Sequence, residues 1–287
     1  MARVIVKTDA VVLRTMRVGE TSKLVTLFSE KHGKLKVMAK GACKPKSKYG
    51  GCLEVTNEIH VVCYLRDDRD LQTLSDAEVV RTHPQLLTDL TRLAFAGAAS
   101  EMLDRLTIEH EPNERLYACL LGILRGLEEV SSQQLESLFW YFQLRVAASL
   151  GYRPELSACT NCGCELELEA SWFSPALGGG VCQSCSREAA ADGADAFSSG
   201  GTTIFGTTTR RVSGESLRFL ALLQSMRTYT RQDLLPAPPR RGEIRGMLRS
   251  FLEYHAGATG RLRSLEFLDA LGPYQPPDQE AAVNDED

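Results

Sequence analysis

Lys34-Leu35-Lys36-Val37-Met38-Ala39-Lys40-Gly41-Ala42-Cys43-Lys44-Pro45-Lys46-Ser47-Lys48-Tyr49-Gly50-Gly51 is the stretch from which the fold is read first. Its opening half alternates. Leu35, Val37 and Ala39 fall on one side, while Lys34, Lys36 and Lys40 share the other with Met38. A period of two with one apolar side marks a half-buried strand. The second half puts four lysines (Lys40, Lys44, Lys46, Lys48) into nine residues, with turn formers throughout.

Working outward, β-rich runs recur at short spacing. Val4-Ile5-Val6 and Ala10-Val11-Val12-Leu13 precede the turn Val18-Gly19-Glu20, and Leu24-Val25-Thr26-Leu27-Phe28 precedes a turn at His32-Gly33. Beyond the lysines, Glu54-Val55 through Cys63-Tyr64 and Leu71-Gln72-Thr73-Leu74 complete about five strands within residues 1–80. The expectation is a small β-barrel, either an OB-type or an SH3-like module.

Charge is distributed unevenly. The first fifty residues hold twelve Lys/Arg against three Asp/Glu, a balance of +9 in a chain whose formal net charge is −4. A concentrated cationic surface attracts polyanions and releases their counterions. OB-folds bind single strands with a cationic groove and stacking aromatics. On that reading the loop lysines Lys40, Lys44, Lys46 and Lys48 contact phosphates, Lys34 and Lys36 add to the surface, and Arg14 and Arg17 extend the groove. Tyr49 is the one aromatic close to the loop. The competing reading is a solvated, flexible loop.

After Thr82-His83-Pro84 the period changes to that of a helix. Leu86, Leu87, Leu90, Leu93, Ala94 and Ala98 lead on to Leu106, Pro112-Asn113 opens a second helix, and Ser131-Ser132-Gln133-Gln134 opens a third that Gly151 ends. Further helical patterns cover 214–229 and 242–256. Residues 81–271 therefore read as an α-helical domain, so the fold class is α+β and multidomain. A cysteine module is inserted at about 157–188, followed by a small, polar, flexible connection over 189–209. The tail 272–287 carries five acids, three prolines and no Lys/Arg, a composition that predicts disorder.

The opening residues lack the apolar core of a signal peptide, and no run approaches the length of a membrane span. A cytosolic setting without membrane contact is expected. There Cys43, Cys52, Cys63 and Cys119, scattered singly, read as small hydrophobes. Cys159-x2-Cys162 and Cys182-x2-Cys185 are different: two close pairs nineteen residues apart supply four soft thiolates for one tetrahedral metal. Zn2+ fits best, in a closed and therefore structural site. Trp172-Phe173 and the Gly178-Gly179-Gly180 turn read as the core and reversal of that module, and Cys164 as a bystander. No H-E-x-x-H or G-x-S-x-G pattern is present, so no enzyme activity is expected.

Several of these pieces occur in an order that resembles the RecO recombination mediators. They are Val12-Leu13-Arg14, Gly19-Glu20-Thr21-Ser22-Lys23, His32-Gly33-Lys34, Lys40-Gly41-Ala42 with Pro45-Lys46-Ser47, Phe173-Ser174-Pro175, Leu252-Glu253-Tyr254-His255 and Leu262-Arg263-Ser264-Leu265. The resemblance implies an N-terminal OB-fold, a helical domain and an embedded zinc module in a protein of the bacterial cytosol and nucleoid. It implies binding of single- and double-stranded DNA, annealing of complementary strands, and loading of RecA with RecR and the single-strand binding protein SSB. It carries the loop lysines over as DNA or RecR contacts. Some members bind the SSB tail in a groove of the helical domain, where Phe139, Tyr141 and Phe142 are either core or tail-binding. A zinc-ribbon adaptor that binds protein and not DNA is the rival reading.

Overall fold

In the computed structural model, which describes residues 4–66, 68–166, 171–191, 202–204, 207–229, 232–257 and 263–271, the run Ala10–Leu13 is buried on both faces. It belongs to β1 (Val4–Val18), followed by β2 (Ser22–Ser29), β3 (Gly33–Ala39), β4 (Glu58–Leu65) and β5 (Leu71–Arg81). These close into a barrel in the order β1-β2-β3-β5-β4, with β3 and β5 parallel and the other pairings antiparallel. Ala10 and Val12 point inward to Val25, Leu27, Leu35, Val37, Ile59 and Val61. Val11 and Leu13 point outward and, with Phe28, join the core of the helical domain. A continuous apolar strand run is what burial on two faces requires.

The strands differ from the sequence reading in extent. Thr8-Asp9 does not break β1, because the pairing with β4 runs through both residues without a shift, from Val4↔Leu65 to Val11↔Glu58. Glu54–Asn57 lies in the loop before β4, and β5 continues seven residues past Leu74 to Arg81.

The helical domain is built on α1 (Pro84–Thr88), α2 (Leu90–Leu106), α3 (Glu114–Glu129), α4 (Leu135–Ser149), α6 (Gly214–Ser225), α7 (Arg241–His255) and α8 (Arg263–Leu271), with α5 (Gln183–Ala191) in the cysteine module. The first predicted helix is two helices, because the Asp89 side chain accepts from the N–H groups of Thr91 and Arg92 and so caps a new start. Asn113 caps α3 in the same way through Leu116. Apolar residues surround α4 on every side, and Trp140, Phe142, Leu144 and Val146 are all buried, the pattern of a central helix. Its buried Glu136 meets the guanidinium groups of Arg241 and Arg245 from α7.

The connection expected at 189–209 is partly a sheet. β8 (Thr202–Ile204) and β9 (Thr207–Val212) join β6 (Ser171–Ser174) and β7 (Gly179–Val181) in the order β7-β6-β9-β8. Residues 189–191 end α5, while 192–201, 205–206 and the tail 272–287 lie outside the described residues. Phe173, expected in the module's own small core, instead packs on Phe251 of α7 with ring centroids 6.2 Å apart. His255 Nε2 lies 2.7 Å from the Pro175 carbonyl, which can only accept, so the ring donates there. Two of the quoted motifs thus meet as a fastening between module and α7.

Barrel and helices are joined by polar contacts as well as by β1. Glu58 is buried on β4, takes Arg125 of α3 at 3.1 and 2.6 Å, and lies 3.3 Å from His83, whose other ring nitrogen is 2.8 Å from Glu128. At the far end of the barrel wall, His110 N–H donates to the Lys34 carbonyl at 3.0 Å. Gly33, at φ +62°, lies so close that a Cβ would fall 2.0 Å from the Glu111 carbonyl oxygen. Gly19 has a similar φ of +60° with open space around it. Gly33→Ala is therefore expected to cost about 2–4 kcal/mol, and Gly19→Ala about 1 kcal/mol. Urea unfolding of the two variants checks this; equal losses would contradict the close docking at Gly33.

Candidate functional site

The basic loop is an anchored structure. Backbone N–H groups of Lys44, Ser47 and Gly50 bond to the carbonyls of Gly41, Lys44 and Ser47, so one turn hands on to the next. Gly41 adopts φ +76°, which a turn formed by an L side chain would resist. Leu53 and Tyr49 are buried in the barrel core, Cys43 N–H donates to the Thr21 carbonyl at 2.9 Å, and the Asn57 amide donates to the carbonyls of Gly51 and Cys52. Tyr49 is 2% exposed, with its hydroxyl 2.9 Å from the Leu74 carbonyl. It is an anchor and not a stacking platform, so the loop's exposed face carries lysines without a stacking aromatic from this position.

Lys40, Lys44, Lys46 and Lys48 are all exposed on this anchored loop. Lys48 also reaches the Ser75 carbonyl. Arg14 and Arg17 are exposed near the end of β1, Arg17 donating to the Glu20 carbonyl at 3.0 Å. A shallow groove of about 500 Å³ runs between Lys40, Gly41 and Lys44 on one side and Val18, Gly19 and Thr21 on the other, floored by Met38. Lys34 and Lys36 are placed differently. Lys34 is 8% exposed and its ammonium turns onto α2, bonding the Asp104 carbonyl with the Asp104 carboxylate 3.8 Å away. Lys36 pairs with Glu109, whose hydrogen bond is the main cause raising the lysine's pKa. Both serve the junction between barrel and helices, so six of the eight expected basic residues remain on the open face.

The four cysteines of the spaced pairs converge. The Sγ atoms of Cys159, Cys162, Cys182 and Cys185 all lie within 4.8 Å of one another, three of them buried and Cys162 exposed. Four sulfurs bound at about 2.3 Å around a tetrahedral centre stand about 3.8 Å apart; the Cys162–Cys182 separation is 3.7 Å. The first pair sits on a tight knuckle that turns through Gly163 at φ +77°, and the second leads into α5. Cys182 N–H points at Cys159 Sγ (3.3 Å), Cys185 N–H at Cys182 Sγ (3.5 Å), and the Asn161 amide at Cys185 Sγ (3.4 Å). Donors aimed at sulfur favour thiolates, although at Cys185 the Asn161 amide is outweighed by burial and the neighbouring thiols, which push that thiol up to about 12. The Cys164 N–H, helped by neighbouring thiols, holds Cys162 down at about 6. At Cys159 burial acts upward but is outweighed by the N–H groups of Cys182, Cys162 and Asn161, so this thiol is lowered too. The set can hold a metal ion. Cys164 is exposed, 3.4 Å from Cys162, and outside the converging four. Asn161 went unnoticed in the sequence, where a polar residue inside C-x2-C carries no distinguishing signal.

A third feature is an apolar groove of about 700 Å³ between α3 and α4. Cys119, Ile123, Leu138, Tyr141 and Phe142 line it, with Arg115, Arg145 and Arg227 among its polar members. Phe139 faces the other way, with its ring 5.2 Å from that of Phe95 in the core. The arginines were not singled out because nothing in their spacing links α3 to residue 227.

Among the described residues no helix is long and apolar enough to cross a membrane. The family model for the N-terminal domain of recombination protein O matches residues 1–83, and that for its C-terminal domain matches 87–199. The DNA repair protein RecO of Pelotomaculum thermopropionicum is 36% identical over 267 residues, covering 93% of this chain and 94% of the relative. RecO of a Roseiflexus strain is 30% identical over 263 residues, 92% of this chain and 84% of the relative. RecO of Symbiobacterium thermophilum is 34% identical over 182 residues, 63% and 71% of the two chains. These matches put the chain among DNA repair proteins. It belongs to the RecO family.

Metal binding at a closed four-cysteine site carries folding energy, on the order of 10–16 kcal/mol in zinc-finger peptides. Cys182→Ser is expected to lose the metal and expose the 157–191 region to protease while the barrel stays intact. Cys164→Ser is expected to keep full metal content. Elemental analysis with limited proteolysis checks both; a Cys182→Ser protein with full stoichiometry would refute the ligand set.

Proposed function

We propose that this protein is a non-enzymatic recombination mediator that binds single- and double-stranded DNA on its barrel and anneals complementary strands. With RecR it would help load RecA onto DNA coated with SSB, in the cytosol at the nucleoid. The observation that carries this reading is the anchored loop bearing Lys40, Lys44, Lys46 and Lys48. Its backbone is fixed before any strand arrives, so little loop freedom is lost on binding. Two strands laid on such a surface repel each other less, and annealing then needs neither a nucleotide nor bond chemistry.

We read the barrel as an OB-fold. Its strand order and parallel β3–β5 closure agree with a five-stranded Greek-key barrel of that kind. We assign the four-cysteine site to structural Zn2+, since four thiolates fill a tetrahedral shell and leave no open position for a substrate. The bound ion would tie the two cysteine pairs together and so hold β6 and β7 in register. The arginine-edged groove between α3 and α4 offers apolar walls and positive charge to the SSB tail that some members of the family bind.

The test is annealing of complementary strands precoated with SSB, by the wild type and by a Lys40/Lys44/Lys46/Lys48→Ala variant. None of the four side chains is buried, so the variant should fold. Fast annealing by the wild type and a loss of about tenfold or more in the variant is expected, as phosphate contacts dominate such affinity. If neither protein anneals coated or bare strands, the protein-binding adaptor becomes the better account.

A further inference from the structure

The seam between the cysteine module and α7 holds a second cationic hollow, on different elements from the lysine loop. In β9, Arg210 pairs in register with Phe173 of β6. Its guanidinium crosses onto α7, where a Cβ on Gly246 would fall 2.5 Å from Nη1. Gly242 and Gly246, one helical turn apart, leave α7 bare at this point, and Arg245 and Arg249 flank the bare stripe at the same spacing. The hollow measures about 390 Å³, and Ser250 and Glu253 complete its lining.

Among the described residues, Arg210, Arg245, Arg249 and Glu253 line the hollow, a balance of +2, and Arg245 shares Glu136 with Arg241. Arg210 is exposed and makes no ion pair among the described residues. Planar guanidinium forks suit phosphate oxygens; Gly246 gives the Arg210 fork room to lie across α7, and the open space at Gly242 lets a sugar-phosphate backbone come close. One turn beyond Ser250, Tyr254 is 60% exposed, an aromatic face within reach of a strand leaving the hollow.

We propose that this seam binds the phosphodiester backbone of a single DNA strand, giving the protein a second strand-holding surface. The inference extends the DNA-binding function proposed above and rests on it. It also gives the cysteine module a task. β6 lies between the two cysteine pairs in sequence, and β6 sets the position of Arg210 through β9. A protein with strands on two surfaces can present one to the other.

The experiment is fluorescence anisotropy of a labelled single-stranded oligonucleotide across a salt series, with the full chain. Wild type is compared with Arg210→Ala/Arg249→Ala, with the four-lysine variant and with their combination. Gly246→Leu fills the hollow and pushes the Arg210 guanidinium off α7 without changing net charge, and leucine is a better helix former than glycine, so the helix should persist. Loss of two phosphate contacts should make the slope of log K against log salt shallower by about 1.4. That loss should add to the lysine-loop loss, and Gly246→Leu should weaken binding severalfold. Seam variants with wild-type affinity and slope would overturn the proposal, as would a deficit that disappears in the lysine-variant background. Inorganic phosphate, titrated by calorimetry, separates the sources of phosphate. Binding lost on Arg210→Ala while DNA affinity holds would assign the hollow to a small anion and overturn the strand reading. If the lysine variant binds DNA normally while seam variants fail, the barrel reading falls and the seam stands; the reverse pattern removes only the seam.

Discussion

Everything else in the molecule hangs on the four residues Ala10–Leu13, which are apolar on both faces of one strand. Ala10 and Val12 fill the barrel, while Val11 and Leu13 fill the helical core beside Phe28. One wall of the barrel is therefore also a wall of the second domain. Burying a large aliphatic side chain contributes roughly 1.5–3 kcal/mol, so this shared wall is a strong constraint on how the domains sit. Glu58 with Arg125 and His83, and Lys34 with Asp104, add direction to it, because buried charges must meet partners at fixed geometry.

That constraint decides which lysines can bind a ligand. Helices cover the side of the barrel near Lys34 and Lys36, and acids of α2 and the following loop meet both ammonium groups. Arg14, Arg17 and the loop 40–51 stand clear of that contact, and the loop is tied to the barrel by Tyr49 and Leu53. The result is a cationic surface on an anchored loop of a protein that is acidic elsewhere, and it is the surface that the proposed DNA binding uses. The cysteine module is fixed with comparable firmness, through Phe173 on Phe251 and His255 on the Pro175 carbonyl.

Much of this was legible beforehand, for physical reasons. Alternation at Leu35, Val37 and Ala39 announced the strand, Asn113 and Gly151 marked helix ends, and the spacing of Cys159, Cys162, Cys182 and Cys185 announced their convergence. Lys34 was misplaced because a period of two says which side a residue takes, and not what covers that side. The role of Tyr49 was not legible, because a phenol can be buried once its hydroxyl finds a carbonyl, here that of Leu74. The strands β8 and β9 lie in a Thr-rich stretch with little apolar contrast, so their pairing depends on β6, which is distant in sequence. The seam at Arg210 was invisible for the same reason: sheet register, and not spacing, brings it to Gly246.

The most direct test of the central claim is a hydrogen-exchange footprint of the full chain with and without a single-stranded oligonucleotide. The account predicts new protection over residues 14–17 and 40–51, with no change over 33–36, which already face the helical domain. Unchanged exchange across 40–51 alongside protection confined to the helical domain would contradict it.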